Sequence, residues 1–217
     1  MKSESILLIE TQYVGNIQYY ARMLFHSNVL IEQHEHFLKS TYRNRCYIAM
    51  PDGKLRLSVP LVDGKQQRKQ MKDIKISYTE PWQKLHWNSL ATAYRSSPFF
   101  EYYEDDLAPL YEKKEKYLLD FNDKIRDKIL ELLQIEDKIA FSKTKKFEKR
   151  YNSADILDFR SAILPQEKKC RIDERFKVPV YHQVFGDRTG FLPNLSIYDL
   201  LFAEGNNTVS MLQNSMK

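Results

Sequence analysis

The sequence predicts an α/β fold with a βαβ unit at its start, a β-hairpin insertion and a helical middle segment. Three observations indicate it: a strand–helix–strand pattern within residues 6–31, a Pro-Asp-Gly turn between two apolar runs, and helical apolar spacing across residues 81–133. Of the 217 residues, 42% are hydrophobic and 29% are charged, so the chain can bury a sizeable core. We therefore expect a single domain over residues 1–217.

The βαβ unit is predicted from two short apolar runs that flank a helical pattern. Residues 6–9 and 29–31 have the composition of buried strands. Between them, Ile17 and Tyr20 recur at helical spacing after Gly15. Two strands joined by a helix in this way are predicted to lie parallel.

A parallel sheet places ligand sites beyond the carboxyl ends of its strands. In this chain those ends correspond to residues 10–15 and 32–36. The turn after the first strand lacks GxGxxG, so the sequence carries no dinucleotide-binding fingerprint there.

An antiparallel hairpin is predicted at Pro51-Asp52-Gly53, because apolar runs at residues 47–50 and 55–59 lie on either side of this turn. Residues 63–72 have the composition of an exposed loop. Ile74 and Ile76 alternate with polar residues, which predicts a third short strand in this region.

The middle of the chain is predicted to be helical. Pro81 suits the first turn of a helix that runs to about residue 96, and Ser97-Pro98 suits the start of the next helix. From Leu110 to Leu133, apolar residues keep helical spacing while the charges between them alternate in sign, as on a solvated face.

Two strands and a capped helix are predicted toward the C-terminus. The strand candidates are residues 139–142 and 181–185. Ser196 suits a helix N-cap, Asp199 takes the place of the capping-box partner, and Gly205 suits a left-handed stop.

Charge and cysteine content limit the functional classes. The net charge of +5 is a mild basic bias that fits an anionic small molecule, a nucleic acid or an ordinary soluble surface. Cys46 and Cys170 are far apart, which argues against a disulfide scaffold or a Cys-based zinc site and fits a reducing compartment. Residues 6–9 are too short for a signal peptide, and no run approaches the roughly 18 apolar residues of a membrane span. We expect a cytoplasmic protein.

The basic run at residues 143–150 is a weak nucleic-acid signal. It contains Glu148, and Phe147 is the one aromatic residue between its charges. We favour an exposed linker and do not expect nucleic acid as a partner.

The segment KSTYRNR, residues 39–45, is the first candidate site. If it is extended, Arg43 and Arg45 point the same way and form a fork of planar donors for phosphate or carboxylate, with Lys39 behind them. A polar edge strand that pairs with acidic neighbours explains the same residues equally well.

His86 is the second candidate, as a general base, because the unperturbed pKa of histidine lies near neutrality. A partly buried, hydrogen-bonded histidine near Trp82 and Trp87 is the commoner outcome. His34 and His36 could ligate a metal from an extended segment, but no third ligand is identifiable. We therefore expect no metal site and no cofactor.

A third candidate joins Tyr181-His182-Gln183 with Asn194 and Asp199. The amide of Asn194 could meet a ligand beside a helix N-terminus, where an anion is favoured. Capping by Asn194 and Ser196 needs no ligand, and we favour that interpretation.

The order of several segments resembles the WbqC-like family over residues 12–205. The segments are KSTYRNR, LSVPL, MKDIKI, WQKLHWNSLATAYRSSPFFEYY, YHQVF and GFLPNLSIYDLLFAEG. The matching residues are Tyr13, Arg43, Asn44, Arg45, His86, Trp87, Tyr94, Pro193, Asn194, Ser196, Asp199 and Gly205. Many relatives have a His-Gln-Pro-Tyr segment where this chain has Glu10-Thr11-Gln12-Tyr13, and many end in Asn-Glu-Gly where it has Ala203-Glu204-Gly205.

The resemblance implies an aminoacyl or acyl (glycine-type) transferase that acts on an amino-sugar or nucleotide-sugar in bacterial surface polysaccharide (O-antigen) synthesis. In this hypothesis Arg43 and Arg45 hold the anion, Asn44 and Asn194 orient the acceptor, and His86 deprotonates the amine. The alternative is a non-catalytic protein that binds a nucleotide-sugar or another phosphorylated ligand.

Both hypotheses place a small anionic ligand, a nucleotide-sugar or an activated acyl or aminoacyl donor, in the same pocket. They leave the oligomeric state open. The predicted substrate-binding residues are Tyr13, Lys39, Arg43, Asn44, Arg45, Tyr94, Asn194 and Asp199.

Overall fold

A computed structural model describes residues 3–62, 68–151, 153–166 and 170–217. The strands in this part of the chain are β1 (Ile6–Glu10), β2 (Asn28–Glu32), β3 (Arg45–Met50), β4 (Gly53–Ser58), β5 (Ala140–Lys143) and β6 (Ile156–Asp158). The helices are α1 (Ile17–Phe25), α2 (Trp82–Tyr94), α3 (Phe100–Leu107), α4 (Leu118–Leu132), α5 (Gly186–Thr189), α6 (Ile197–Glu204) and α7 (Thr208–Asn214). The predicted α/β class is confirmed.

The predicted βαβ start is also confirmed. Strands β1 and β2 are parallel, with Leu7 opposite Val29 and Ile9 opposite Ile31, and α1 connects them. All four of these side chains are buried, which explains why both strands are apolar throughout their centres.

The chain adds strands to the parallel sheet on both sides of β1. Its spatial order is β5-β2-β1-β6, so the chain leaves β1 toward β2 and later returns on the other side of β1 as β6. Strands whose connections diverge in this way leave a crevice at their carboxyl ends, the usual ligand position in open α/β sheets. Here the crevice lies beyond Glu10 of β1 and Asp158 of β6.

The predicted hairpin is present, with β3 and β4 antiparallel and Arg45 opposite Ser58. Gly53 closes the turn with φ +116°, a conformation that residues with a side chain rarely adopt. The predicted helices at residues 81–96 and after Ser97-Pro98 correspond to α2 and α3.

The predicted helix from Leu110 begins later, at Leu118, because Ala108–Tyr111 is a 3-10 turn. The helix near the C-terminus is α6, and Gly205 follows it with φ +52°. Ser196 occupies the N-cap position of α6, but its hydroxyl makes no capping hydrogen bond. Its backbone amide donates to the carbonyl of Tyr47.

The strand predicted at Ile74 and Ile76 is wrong. Met71–Asp73 is a 3-10 turn, and the following residues make isolated bridges, such as Leu61 with Ile76. Both isoleucines are buried, so their alternation reflects packing under the start of α4 and not a strand ladder. Residues 63–67 of the predicted loop lie outside the described residues.

The strand predicted at residues 181–185 is also wrong. The segment has no strand pairing, and its side chains bond inward: the hydroxyl of Tyr181 and the amide of Gln183 both donate to Asp199. The chain then turns into α5. Three elements, β6, α5 and α7, have no counterpart in the sequence prediction, because none of them has enough apolar periodicity to be recognised.

The buried apolar side chains of the described residues form a cluster that includes residues of the sheet, the hairpin and helices α1 to α4, α6 and α7. In the same part of the chain, no helix is both long enough and apolar enough to cross a membrane.

Candidate functional site

A cavity of about 500 Å³, here called the basic cleft, lies beside the β3–β4 hairpin. Its polar lining consists of Lys39, Ser40, Asn44, Arg45, Arg56 and Ser58.

The hairpin register explains why these side chains meet. Arg45 pairs with Ser58, and Tyr47 pairs with Arg56, so all four lie on one face of the hairpin. Lys39 reaches the cleft from the preceding loop, in which Ser40 adopts φ +64°.

The charge of the basic cleft has one sign. The lining contains Lys39, Arg45 and Arg56 but no carboxylate, and within the described residues none of these three makes an ion pair. Two buried polar atoms, Nε of Arg45 and Oδ1 of Asn44, also have no hydrogen-bond partner in that part of the chain. Both atoms are shielded from solvent, so the three cations define the chemistry of the open surface of the cleft. A cleft of this charge can accept a phosphate or carboxylate.

Arg43 does not join Arg45 in the cleft. Tyr42–Asn44 is a 3-10 turn and not the extended segment that the predicted fork requires. The Arg43 side chain is fully buried and donates to both carboxylate oxygens of Glu35, at 2.7 and 2.8 Å. Burial opposes its charge, but the carboxylates of Glu10 and Glu35 outweigh that effect and raise the pKa of Arg43. The guanidinium is thus committed to an internal ion pair.

His86 lies in a buried aromatic layer. Its Nδ1 is 2.8 Å from the hydroxyl of Tyr13, and that hydroxyl lies 3.4 Å from the hydroxyl of Tyr111. Burial lowers the pKa of His86 from 6.5 to about 4, although a hydrogen bond with the backbone of Ser58 acts in the opposite direction. The imidazole is therefore neutral at pH 7, and through Ser58 it contacts the strand that lines the basic cleft.

Comparison with known proteins gives a family. The sequence model of the WbqC-like protein family matches residues 11–168, which is more than half of the chain. The chain belongs to the WbqC-like protein family. It is also 26% identical over 226 residues to the uncharacterized protein Rv1507c of Mycobacterium tuberculosis (strain ATCC 25618 / H37Rv), covering 93% of this chain and 94% of that protein. No solved structure shows a significant match.

The first loop departs from the His-Gln-Pro-Tyr segment expected for WbqC-like relatives. In place of the histidine, this chain has Glu10, whose carboxylate accepts a hydrogen bond from the side chain of Gln12 at 3.2 Å and from the backbone amide of Ser161 at 2.7 Å. The carboxylate at the end of β1 is therefore buried and hydrogen-bonded within the protein.

Tyr94 and Asp199 of the WbqC-like chain form a second buried network, in which the Tyr94 hydroxyl donates to Asp199 at 2.8 Å and accepts from the Ala49 amide. Tyr181 and Gln183 donate to the other carboxylate oxygen of Asp199. Burial raises the pKa of Asp199, while these three hydrogen bonds oppose the shift. The hydrogen bonds of this network are made within the protein, and the bond between Tyr94 and Asp199 links α2 to α6.

The side chain of Asn194 caps a backbone amide of α1 and not, as predicted, the start of α6. Its Oδ1 accepts from the backbone amide of Gln18 at 3.0 Å, in the first turn of α1. The residue has φ +52°, which asparagine tolerates better than most residues.

The predicted site residues of this WbqC-like protein therefore fall into separate places. Lys39, Asn44 and Arg45 share the basic cleft. The others lie elsewhere: Tyr13 with His86, Tyr94 with Asp199, Arg43 at the sheet edge and Asn194 at α1.

Sequence reasoning missed Arg56 and Glu35. The hairpin register carried the signal for Arg56, because pairing the predicted strands places it on the face of Arg45. Glu35 had a weaker signal, its position within the segment after β2.

Proposed function

We propose that this WbqC-like protein binds a small phosphorylated ligand of the nucleotide-sugar class in the basic cleft. The observation that carries the proposal is the unbalanced charge of Lys39, Arg45 and Arg56, which face one cavity without a lining carboxylate. Phosphate oxygens are the natural partners of such a set, because guanidinium groups donate to them in pairs and an ammonium adds a point charge.

The hydrogen-bonding groups of the cleft suit the sugar part of the ligand. Asn44 is fixed by its amide, which donates to the Val59 carbonyl at 2.9 Å. Ser40 and Ser58 add hydroxyl groups to the lining. A sugar hydroxyl both donates and accepts, so it can bond to either of them.

A thermal-shift screen of the purified protein against nucleotide sugars, plain nucleotides and acyl donors tests the proposal. A ligand at about one hundred times its Kd stabilises the folded state by ~2.7 kcal/mol, which gives a measurable rise in Tm. We expect a rise with nucleotide sugars that is lost in the double variant Arg45→Ala/Arg56→Ala.

The matched control is Lys145→Ala/Arg188→Ala, which removes the same charge from exposed positions outside the cleft. It should keep the full shift. A screen with no shift from any nucleotide sugar, or a shift that survives in the cleft variant, would overturn the proposal.

Acyl transfer is the second candidate. One observation favours it: His86 is neutral and is hydrogen-bonded to the backbone of Ser58 at the cleft. In the step, an amine attacks the carbonyl carbon of an activated acyl donor, a C–N bond forms, the leaving group departs with the bonding electrons, and a base takes the amine proton. A pKa of about 4 makes His86 a weak acceptor at pH 7, which is why ligand binding is the first proposal.

The two functions differ in the response to His86→Gln, which retains a hydrogen-bonding side chain. Acyl transfer requires the variant to lose turnover of an acyl donor and an amino-sugar nucleotide while the Kd for the nucleotide changes little. A binding protein shows no turnover in either form.

A further inference from the structure

A second cavity, of about 460 Å³, lies over the carboxyl ends of the parallel strands and is here called the sheet-edge cavity. Its lining includes Glu35, Phe147, Lys149, Arg160, Ser161 and Arg171. It sits beyond β1 and β6, at the point where the connections of the sheet diverge. None of its lining residues belongs to the basic cleft.

The charges of the sheet-edge cavity leave two cations available. Its carboxylates are already paired: Glu35 accepts both hydrogen bonds of Arg43, and Asp158 accepts from Arg160 at 2.6 and 3.0 Å.

Lys149 and Arg171 also line the cavity, and they are exposed. Within the described residues neither of them pairs with a carboxylate, and Arg171 donates only to the carbonyl of Asp158 and, through its backbone, to Ala162. These two side chains can hold an anionic group at the mouth of the cavity.

The inner wall of the cavity is a fixed hydrogen-bonding layer. The Ser161 hydroxyl accepts from Nη2 of Arg43 at 3.2 Å, and the Ser161 amide donates to Glu10 at 2.7 Å. Ser161 has φ +54°, in the left-handed region that serine seldom adopts, so the surrounding contacts hold it there.

The same layer contains an unpaired donor and an unpaired acceptor. Among the described residues, Nη1 of Arg43 and Oε1 of Gln12 have no hydrogen-bond partner, although Arg43 is fully buried and Gln12 is 3% exposed. Both belong to the hydrogen-bonded chain that runs from Gln12 through Glu10 and Ser161 to Arg43. Neither residue lines the cavity, so Ser161 is the member of this chain that a hydroxyl group of a bound ligand can meet.

Phe147 adds an apolar surface to the cavity. The guanidinium of Arg160 lies 5.3 Å from the centre of its ring, and the residue remains 50% exposed. A ring with an exposed face can pack against the apolar face of a sugar ring. The basic run at residues 143–150 is therefore more than an exposed linker, because Phe147 and Lys149 form one wall of this cavity.

We propose that the sheet-edge cavity binds a small hydroxylated anion, either a sugar phosphate or a sugar acid. Lys149 and Arg171 hold the anionic group, the hydroxyls meet the layer around Ser161, and the ring lies on Phe147. This inference is independent of the basic cleft, because it uses other residues.

Isothermal titration of the purified protein with glucose 6-phosphate, glucuronate, inorganic phosphate and neutral glucose tests the inference. We expect glucose 6-phosphate or glucuronate to bind at least about tenfold more tightly than both inorganic phosphate and glucose. The tighter of the two identifies the anionic group. Binding of glucose or inorganic phosphate as tight as that of the hydroxylated anions would overturn the inference.

Variants assign the binding to one cavity. Lys149→Ala/Arg171→Ala should weaken binding at least about tenfold, and Phe147→Ala should weaken it while keeping the charge. The control Lys145→Ala/Arg188→Ala and the cleft variant Arg45→Ala/Arg56→Ala should bind as the wild type does. Binding lost only in the cleft variant would overturn this inference and leave the proposed function intact.

Discussion

The hydroxyl of Tyr13, in the loop after β1, lies 2.8 Å from Nδ1 of His86 in α2. The two rings are 5.7 Å apart, and both residues are almost completely buried. The contact joins the βαβ start of the chain to its helical middle across 73 residues of sequence. Burial keeps the imidazole in its neutral form, since a charged ring would be desolvated without a counter-ion.

The pKa of His86 predicts a pH dependence of stability. The unfolded chain binds a proton at His86 below about pH 6.5, while the native state binds it only near pH 4, so the free energy of unfolding falls as pH drops through this window. In His86→Gln this contribution, at most about 3 kcal/mol, is absent. Urea unfolding of both proteins at pH 7.5, 5.5 and 4.5 measures it.

The difference between the two proteins isolates His86 from the other groups that titrate in this range. These include His26, whose pKa burial also lowers. Parallel pH profiles for wild type and His86→Gln would show that the imidazole is not held neutral.

The Arg43–Glu35 pair predicts a large loss of stability when one partner is removed. Arg43→Ala leaves the Glu35 carboxylate buried without its cation, a change that costs roughly 3–5 kcal/mol in comparable pairs. The matched control is Arg95→Ala, which removes an exposed arginine from its pair with Glu104 and should cost about 1 kcal/mol or less. Equal losses in urea unfolding would contradict the internal role of Arg43.

How far the sequence predicts this fold depends on whether the signal is local. Gly53 and Gly205 predict their turn and stop because a positive φ is a local backbone conformation that glycine readily adopts. The prediction of a strand at Ile74 and Ile76 is wrong because alternating apolar residues show that side chains are buried but do not show that the backbone pairs with another strand. Strand β6 has three residues, and its position in the sheet depends on pairing with β1. The paired residues Ile6 and Ile156 are 150 positions apart in the sequence, so no local pattern predicts the contact.

The candidate site is harder to predict for the same reason. The sequence groups Lys39, Asn44 and Arg45 correctly because they are close in sequence. It also groups Arg43 with them, since nothing in the sequence shows that residues 42–44 form a turn that directs the Arg43 side chain to Glu35.

Asp199→Asn is predicted to destabilise the protein by about 2–3 kcal/mol at pH 7. The Tyr94 hydroxyl already accepts from Ala49, so its proton is directed at the carboxylate, and Tyr181 and Gln183 donate to the other oxygen. An amide cannot accept all three hydrogen bonds. Asp187→Asn, at an exposed position, is the control and should change the urea midpoint little; a similar midpoint for the two variants would contradict the network.

Gly205→Ala is predicted to destabilise by about 1–3 kcal/mol, because φ is +52° and the new Cβ would lie 2.7 Å from the Phe99 ring. At Gly186 the nearest atom to such a Cβ is 4.0 Å away, so Gly186→Ala should be close to neutral. Thermal unfolding compares the two. A neutral Gly205→Ala would mean that the end of α6 is not fixed as described.

Anion binding in the basic cleft is tested most directly by isothermal titration with UDP-glucose and UDP-N-acetylglucosamine. The wild type and the control Lys145→Ala/Arg188→Ala should bind at least one of them with equal Kd. Arg45→Ala/Arg56→Ala should bind it at least about tenfold more weakly, because two phosphate contacts are lost. If the wild type binds neither, or the cleft variant binds as tightly as the wild type, the basic cleft is not the site of a nucleotide-sugar ligand.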